Sequence, residues 1–305
     1  MIRGVHAILY AFFDENECLH RESMRRQVEV CLESGVVGIA ALGLATEVAK
    51  LSPEERRQLM SWVSEDVNQK VPLGFTIYGQ SVAEQITMVK HAEYVGANWI
   101  ILQPPVVGTF DPIEYISFFG RVMQATVLPV AIQNAPQYLG RGLSDDDIEI
   151  LRQRHPNFTL IKSELSALDT KKLIDLAGKD LKVFNGRGGL ELLDCLNAGC
   201  EGFLLAPDVV DYSTEVMRLY ETGHHDSAQK LYNNILPIIQ FVMTSIEHLI
   251  CYGKRLFAER AGLKVFDRAP ALRPDPLVLA QLFKMSAALG SFPAIRFESN
   301  KIGAL

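Results

Sequence analysis

The chain has 305 residues, of which 48% are hydrophobic and 22% are charged, as expected for a globular protein with a sizeable core. Its formal net charge of −6 argues against a nucleic-acid or anionic-membrane partner, because both bind basic patches. The five cysteines are odd in number, and their spacings fit neither a metal site nor a disulfide framework. We therefore expect a reducing, cytoplasmic compartment and predict no metal and no other cofactor.

Short apolar runs alternate with longer amphipathic stretches along most of the chain. The runs are apolar throughout rather than alternating, which is typical of parallel strands that are buried on both faces. Eight strands are predicted, at residues 7–10, 38–42, 71–75, 99–102, 127–132, 158–162, 181–184 and 202–205.

Helix start and stop signals separate these strands. Ser52 suits an N-cap before Pro53, and Ser144 precedes three acidic residues that suit the positive end of a helix dipole. Glycines end two other predicted helices. The intervening helices are predicted at residues 21–34, 81–94 and 188–198 and after Ser52 and Ser144.

Eight strand–helix units predict either a closed (β/α)₈ TIM barrel or an open doubly wound sheet. The number of units favours the barrel, and the loop after Tyr10 lacks the glycines of a dinucleotide-binding sheet. We expect an α/β fold in which residues 1–222 form the barrel that carries the active site. Residues 223–305 are expected to form a C-terminal helical extension packed on the barrel, with helices at residues 229–252 and 276–289.

The most apolar late segment, residues 235–250, contains Pro237, Gln240, Glu247 and His248. It is too short and too polar to cross a bilayer. We expect a buried or subunit-facing helix here, and no membrane partner.

Lys162 closes the predicted sixth strand and is the only lysine at a strand end of this set. In a (β/α)₈ barrel the reactive groups gather at the carboxyl ends of the strands. Burial disfavours an ammonium ion, and a neutral amine is a nucleophile for carbonyl carbon. Lys162 is therefore a candidate for imine chemistry, the alternative being a side chain that extends to the surface.

Several motifs together resemble one known family, the dihydrodipicolinate synthase and N-acetylneuraminate lyase superfamily of class I pyruvate-type aldolases. The motifs lie at residues 43–47 and 51–56, 96–97, 128–130 and 134–136, 161–162 and 197–202. The resemblance implies that Lys162 forms an imine with a 2-oxo acid. It also implies that the loop containing Leu44, Ala45 and Thr46 receives the substrate carboxylate, and that the protein is a homotetramer.

The sequence departs from the family pattern in the residues that would surround this lysine. Leu44 and Ala45 occupy the positions of two threonines, and Thr46 is a candidate to replace one of the lost hydroxyl donors. Gln133 stands where the family has a tyrosine that relays protons, so the resemblance makes Gln133 a candidate catalytic residue. An amide can form hydrogen bonds but is not an ordinary acid or base.

Another residue must therefore move protons. Glu164, two residues beyond Lys162, is the first candidate, the alternative being a carboxylate at a helix N-terminus. Tyr138, at the position of the arginine of a true dihydrodipicolinate synthase, is predicted to bind substrate and is either a second relay or a packing aromatic. Gly186 and Arg187 are predicted to bind substrate at the end of the seventh strand, with Arg187 paired either with a distal carboxylate or in a surface salt bridge.

The leading hypothesis is an imine-forming lyase that acts on a 2-oxo acid. The reaction is either aldol cleavage or condensation with pyruvate, or dehydration of a 2-keto-3-deoxy sugar acid, and the replaced residues favour a sugar-acid substrate over amino-acid biosynthesis. Three alternatives stay open: a noncatalytic 2-oxo-acid-binding protein, a true dihydrodipicolinate synthase with a substituted relay, and a barrel enzyme of unrelated chemistry.

Overall fold

A computed structural model describes residues 2–106, 108–178 and 180–293. Eight parallel strands form a closed barrel in sequential order, because β1 pairs with both β2 and β8. The strands are β1 (Gly4–Ile8), β2 (Gly38–Ala41), β3 (Leu73–Ile77), β4 (Trp99–Leu102), β5 (Val130–Asn134), β6 (Phe158–Ser163), β7 (Lys182–Asn185) and β8 (Gly202–Leu205). The predicted TIM barrel is confirmed.

Three of the helices between the strands begin at predicted serine positions. Ser52 and Ser144 each accept a hydrogen bond in a capping box, and Ser81 caps the helix that follows it. The helices are α1 (Arg21–Glu33), α2 (Pro53–Val67), α3 (Val82–Tyr94), α4 (Pro112–Met123), α5 (Pro136–Leu139), α6 (Asp145–Arg154), α7 (Ala167–Ala177), α8 (Leu192–Ala198) and α9 (Val210–Glu221).

Some boundaries differ from the prediction for identifiable reasons. The apolar run predicted as strand 1 continues past β1 into Leu9 and Tyr10, which are buried but lie beyond the strand. The run predicted as strand 5 begins with Val127, which is 92% exposed and precedes β5. The helix predicted from residue 188 begins at Leu192, because the preceding Glu191 has a left-handed backbone with φ of 58°.

The C-terminal extension contains α10 (His225–Val242), α11 (Ile246–His248), a π-helical turn (Leu249–Gly253), α12 (Lys254–Ala261) and α13 (Pro276–Leu289). The single helix predicted at residues 229–252 is wrong. The chain bends by 105° after α10, because Thr244 donates back to the Phe241 carbonyl and Ser245 caps the next turn. Residues 294–305 of the predicted extension lie outside the described residues.

Taken singly, no helix in the described part of the chain has the length and apolar character needed to cross a membrane. The bent pair His225–Val242 and Ile246–Ala261 meets the length and composition criteria when the two helices are counted together.

Three aromatic rings from β1, β4 and β7 pack together inside the barrel. His6 lies edge-on to Trp99 and Phe184, with ring centroids 5.6 and 5.4 Å away. Glycine at position 38 makes this packing possible, because a Cβ there would come within 1.9 Å of the His6 ring. His6 has no exposed surface, and burial lowers its pKa to about 4.

This buried imidazole is expected to make stability depend on pH. Below its ordinary pKa of 6.5, the unfolded chain binds a proton that folded His6 binds only near pH 4. The contribution of His6 to the free energy of unfolding is therefore fully present above pH 6.5. It falls by about 1.4 kcal/mol per pH unit as the pH drops toward 4. Buried Asp208, whose pKa burial raises to about 6, titrates in the opposite direction and masks the effect in the wild type.

The expected result is therefore a difference between proteins. His6→Asn is expected to be less stable than the wild type at pH 7.5. The difference between their free energies of unfolding should be smaller by about 2–3 kcal/mol at pH 4.5. Urea unfolding at both pH values measures the gap, and His225→Asn, at an exposed histidine, is the control. A gap that stays constant with pH would show that His6 does not resist protonation.

Candidate active site

The end of β6 presents two charged side chains on the same side of the strand. Residues two apart on a strand face the same way, so Lys162 and Glu164 converge. The Lys162 ammonium donates to Glu164 Oε1 at 2.6 Å, and each residue is only 6% exposed. The sequence predicted a buried amine here; the structure also gives that amine a buried carboxylate partner.

Glu164 is fixed in place by the loop that follows the neighbouring strand, β7. Its second carboxylate oxygen accepts a hydrogen bond from the backbone N–H of Arg187 at 2.6 Å. Gly186 leaves the space for this contact, since a Cβ there would come within 2.4 Å of that oxygen. Glu164 does not cap a helix, because Ser166 caps α7. Hydrogen bonds to both of its oxygens therefore hold the Glu164 carboxylate in place, one from Lys162 and one from the Arg187 N–H.

A small cavity of about 40 Å³ opens beside this pair. That space accommodates roughly three water molecules. Six of the predicted residues line it, namely Leu44, Ala45, Tyr138, Lys162, Glu164 and Arg187. The ion pair is thus located at a cavity and not in a closed part of the core.

Tyr138 and Arg187 bring polar groups to the same cavity. Burial raises the pKa of the Tyr138 hydroxyl, the negative charge of Glu164 raises it further, and the hydrogen bond and charge of Arg187 oppose both effects. The Arg187 guanidinium also pairs with Glu191. Tyr138 is therefore a neutral hydrogen-bonding group within the influence of Glu164.

Two of the predicted residues make hydrogen bonds elsewhere. The Thr46 hydroxyl donates to the Leu9 carbonyl at 2.5 Å, and Thr46 has no exposed surface. Gln133 is the strand neighbour of Lys162, but its side-chain oxygen accepts from Gln103 at 2.8 Å. These hydrogen bonds connect neighbouring parts of the barrel wall. Neither Thr46 nor Gln133 is among the residues that line the cavity beside Lys162.

The loop that precedes Thr46 still offers backbone donors. The N–H groups of Thr46 and Glu47 turn back to the carbonyls of Gly43 and Leu44. No hydrogen bond is formed from the N–H of Leu44 or Ala45 to another described residue. Two adjacent N–H groups of this kind can bind a carboxylate without any hydroxyl.

Glu47 holds this loop against the C-terminal extension. Its carboxylate accepts from the fully buried Lys254 and, at 2.6 Å, from Lys50. An ion pair at such depth is costly to break, because the remaining charge would stay buried without a partner. Glu47 thus orders the loop through side-chain ion pairs.

No site role was predicted for three further residues of the cavity wall, Met243, Ile246 and Leu249. They follow α10 at the 105° bend. Met243 packs closely on the loop that follows β7, because a Cβ on Gly188 in that loop would come within 2.4 Å of the Met243 side chain. Thr244-Ser245, a capping signal inside an apolar segment, is the sequence feature that could have revealed the bend.

The arrangement has the parts of an imine-forming site. The amine can attack a carbonyl carbon, and the carboxylate 2.6 Å away can take and return protons. Within the described ranges, no cluster of three or more His, Cys, Asp or Glu residues has a geometry that could hold a metal ion.

Comparison with known proteins identifies the family. The model of the dihydrodipicolinate synthetase family matches residues 1–273. A 4-hydroxy-tetrahydrodipicolinate synthase of Methanococcoides burtonii is 26% identical over 247 residues, covering 80% of this chain and 84% of that protein. An L-2-keto-3-deoxyarabonate dehydratase of Azospirillum brasilense is 24% identical over 290 residues, covering 92% and 94%.

Solved structures show the same fold. A prophage protein of the dihydrodipicolinic acid synthase family from E. coli K12, solved in complex with pyruvate, superimposes with a TM-score of 0.86 at 21% identity, covering 95% of this chain and 99% of that one. The curated relatives are lyases, which supports the prediction of a lyase. The chain belongs to the dihydrodipicolinate synthetase family.

Proposed function

We propose that this protein is an imine-forming lyase that acts on a 2-oxo acid through Lys162. The observation that carries the proposal is the buried Lys162–Glu164 pair, with 2.6 Å between donor and acceptor, at the edge of a cavity at the carboxyl ends of the strands. The pyruvate complex of the E. coli prophage protein supports a 2-oxo acid as the substrate class.

The reaction begins with transfer of the ammonium proton to Glu164, which frees the amine. The amine adds to the C2 carbonyl, and one water molecule leaves as the imine forms. The protonated imine then withdraws electrons from C3, so that a C3 proton or the C3–C4 bond can be lost. Glu164 and the Tyr138 hydroxyl are the groups at the cavity that can move these protons.

The carboxylate of the 2-oxo acid is assigned to the loop of Leu44 and Ala45. Two backbone N–H groups without partners among the described residues support this assignment. Arg187 adds a positive charge at the same cavity. Gln133 and Thr46, which hydrogen-bond to the barrel wall, are proposed to support the site and not to touch the substrate.

From the resemblance to the dihydrodipicolinate synthase superfamily we propose that the protein is a homotetramer. From its cysteines we propose that it works in the cytoplasm. All five cysteines are free thiols, as is usual in a reducing compartment. A monomer in sedimentation experiments would contradict the first point, and recovery of the native protein from an oxidising compartment would contradict the second.

Pyruvate with borohydride is expected to trap the imine on Lys162. Mass spectrometry of the digested protein should find one reduced pyruvate on the Lys162 peptide and none on Lys171, whose side chain is 49% exposed. Lys162→Met should abolish trapping, while the control Lys171→Met should retain it. Reversible pyruvate binding without trapping would instead favour a noncatalytic binding protein.

Glu164 is expected to carry the proton transfers. In D₂O the wild type should exchange the methyl protons of pyruvate, an assay that needs no knowledge of the second substrate. Glu164→Gln keeps the shape but loses the base, so exchange should slow by about 10²–10⁴-fold. Gly186→Ala should also slow exchange, because its Cβ would displace the same carboxylate.

The control for both variants is Glu149→Gln, at a surface glutamate on α6 that is paired with Arg152. Exchange at the wild-type rate in Glu164→Gln would assign the proton transfers to another group, with Tyr138→Phe as the next variant to measure.

A further inference from the structure

A second cavity adjoins the one that contains Lys162, and its walls are mostly apolar. Leu44, Tyr138 and Ile246 line both cavities and so form the boundary between them. The second cavity has a volume of about 270 Å³ and is lined in addition by Val48, Pro104, Leu139 and Ile250, among others.

The size of the two cavities divides the substrate between them. The cavity at Lys162 measures about 40 Å³, which is enough for the reacting end of a 2-oxo acid and little more. The adjoining cavity is the space beside it into which the remainder of a larger substrate could extend. An apolar cavity of about 150 Å³ is known to bind benzene, so 270 Å³ accommodates an aromatic ring.

The charged groups at this second cavity already have partners within the protein. Lys50 donates to Glu47 and to the Arg268 carbonyl. Arg141 donates to the Pro105 and Gly108 carbonyls at 2.6 and 2.7 Å. A chain of sugar hydroxyls would lose its water here against walls that are largely carbon, whereas an apolar group gains from the same burial.

From this geometry we infer that the group attached to C4 of the substrate is apolar and about the size of an aromatic ring. The inference rests on the proposed function, since it assigns the second substrate of the same lysine. The donor is pyruvate, and the acceptor is an aromatic aldehyde. A polyhydroxylated aldehyde, as in the sugar-acid alternative, is disfavoured by the walls.

The chemistry balances without another reactant. The Lys162 amine and pyruvate lose one water to form the imine, and C3 loses a proton to Glu164. The C3–C4 bond then forms as C3 attacks the aldehyde carbon, and the aldehyde oxygen takes up a proton to become the C4 hydroxyl. Water hydrolyses the imine and restores the amine, so the sum is one aldol addition, which is reversible.

The test compares aldehydes on the intact enzyme with pyruvate as donor. Product formation, followed by chromatography and NMR, should give a kcat/KM for benzaldehyde at least about tenfold above the values for D-glyceraldehyde and D-erythrose. Equal or higher values for the hydroxylated aldehydes, or no reaction with benzaldehyde, would overturn the inference.

A variant pair locates the preference. Ile250, partly exposed on the π-helical turn, lines only the apolar cavity of the two. Ile250→Gln, of similar size, should lower the ratio of kcat/KM for benzaldehyde to that for D-erythrose by about tenfold. The matched control is Leu277→Gln on α13, where the residue is 82% exposed and the ratio should stay as in the wild type. A ratio unchanged in Ile250→Gln would contradict the assigned cavity.

Borohydride trapping of pyruvate separates the two possible failures. If pyruvate is not trapped on Lys162, the proposed function fails and the inference fails with it. If pyruvate is trapped but benzaldehyde is not preferred, the imine chemistry stands and the apolar substrate is rejected.

Discussion

The buried pair of Lys162 and Glu164 is the constraint on which the site depends. Two opposite charges with 6% exposure each are stable in a barrel only if both are well paired, because taking either charge out of water costs several kcal/mol. The structure meets this demand with the 2.6 Å contact between them and with the Arg187 N–H on the second oxygen. Gly186 follows as a requirement, since any larger residue would occupy the place of the carboxylate.

The same pair explains how the chain can depart from its family pattern. With Gln133 bonded to Gln103 in the barrel wall, the position of the usual tyrosine contributes no acid or base. In the proposed mechanism, the Glu164 carboxylate that contacts Lys162 is the acid–base group, so proton transfer does not require residue 133. Among the described residues that line the cavity, Tyr138 is the one with a hydroxyl group, and the charge of Glu164 raises the pKa of that hydroxyl.

The C-terminal extension completes the site from the other side of the barrel mouth. The bend after α10 places Met243, Ile246 and Leu249 against the cavity. The Lys254–Glu47 ion pair fixes the extension to the loop that follows β2. The extension therefore links the loop proposed to bind the carboxylate with the wall of the apolar cavity. Under the proposed function, substrate selectivity would therefore depend on residues far from Lys162 in the chain.

The eight strands and the helices that begin after Ser52 and Ser144 could be predicted from the sequence, because hydrophobic periodicity and helix capping are local properties. The sequence left open whether Glu164 faces Lys162 or lies at a helix N-terminus. The tertiary structure was needed to establish that Thr46 bonds to Leu9, that Gln133 bonds to Gln103, and that Ile246 and Ile250 line the two adjoining cavities. Those contacts join residues from different strands or from the extension. They exist because the closed barrel and the bent helices bring distant segments together, and no local pattern records that distance.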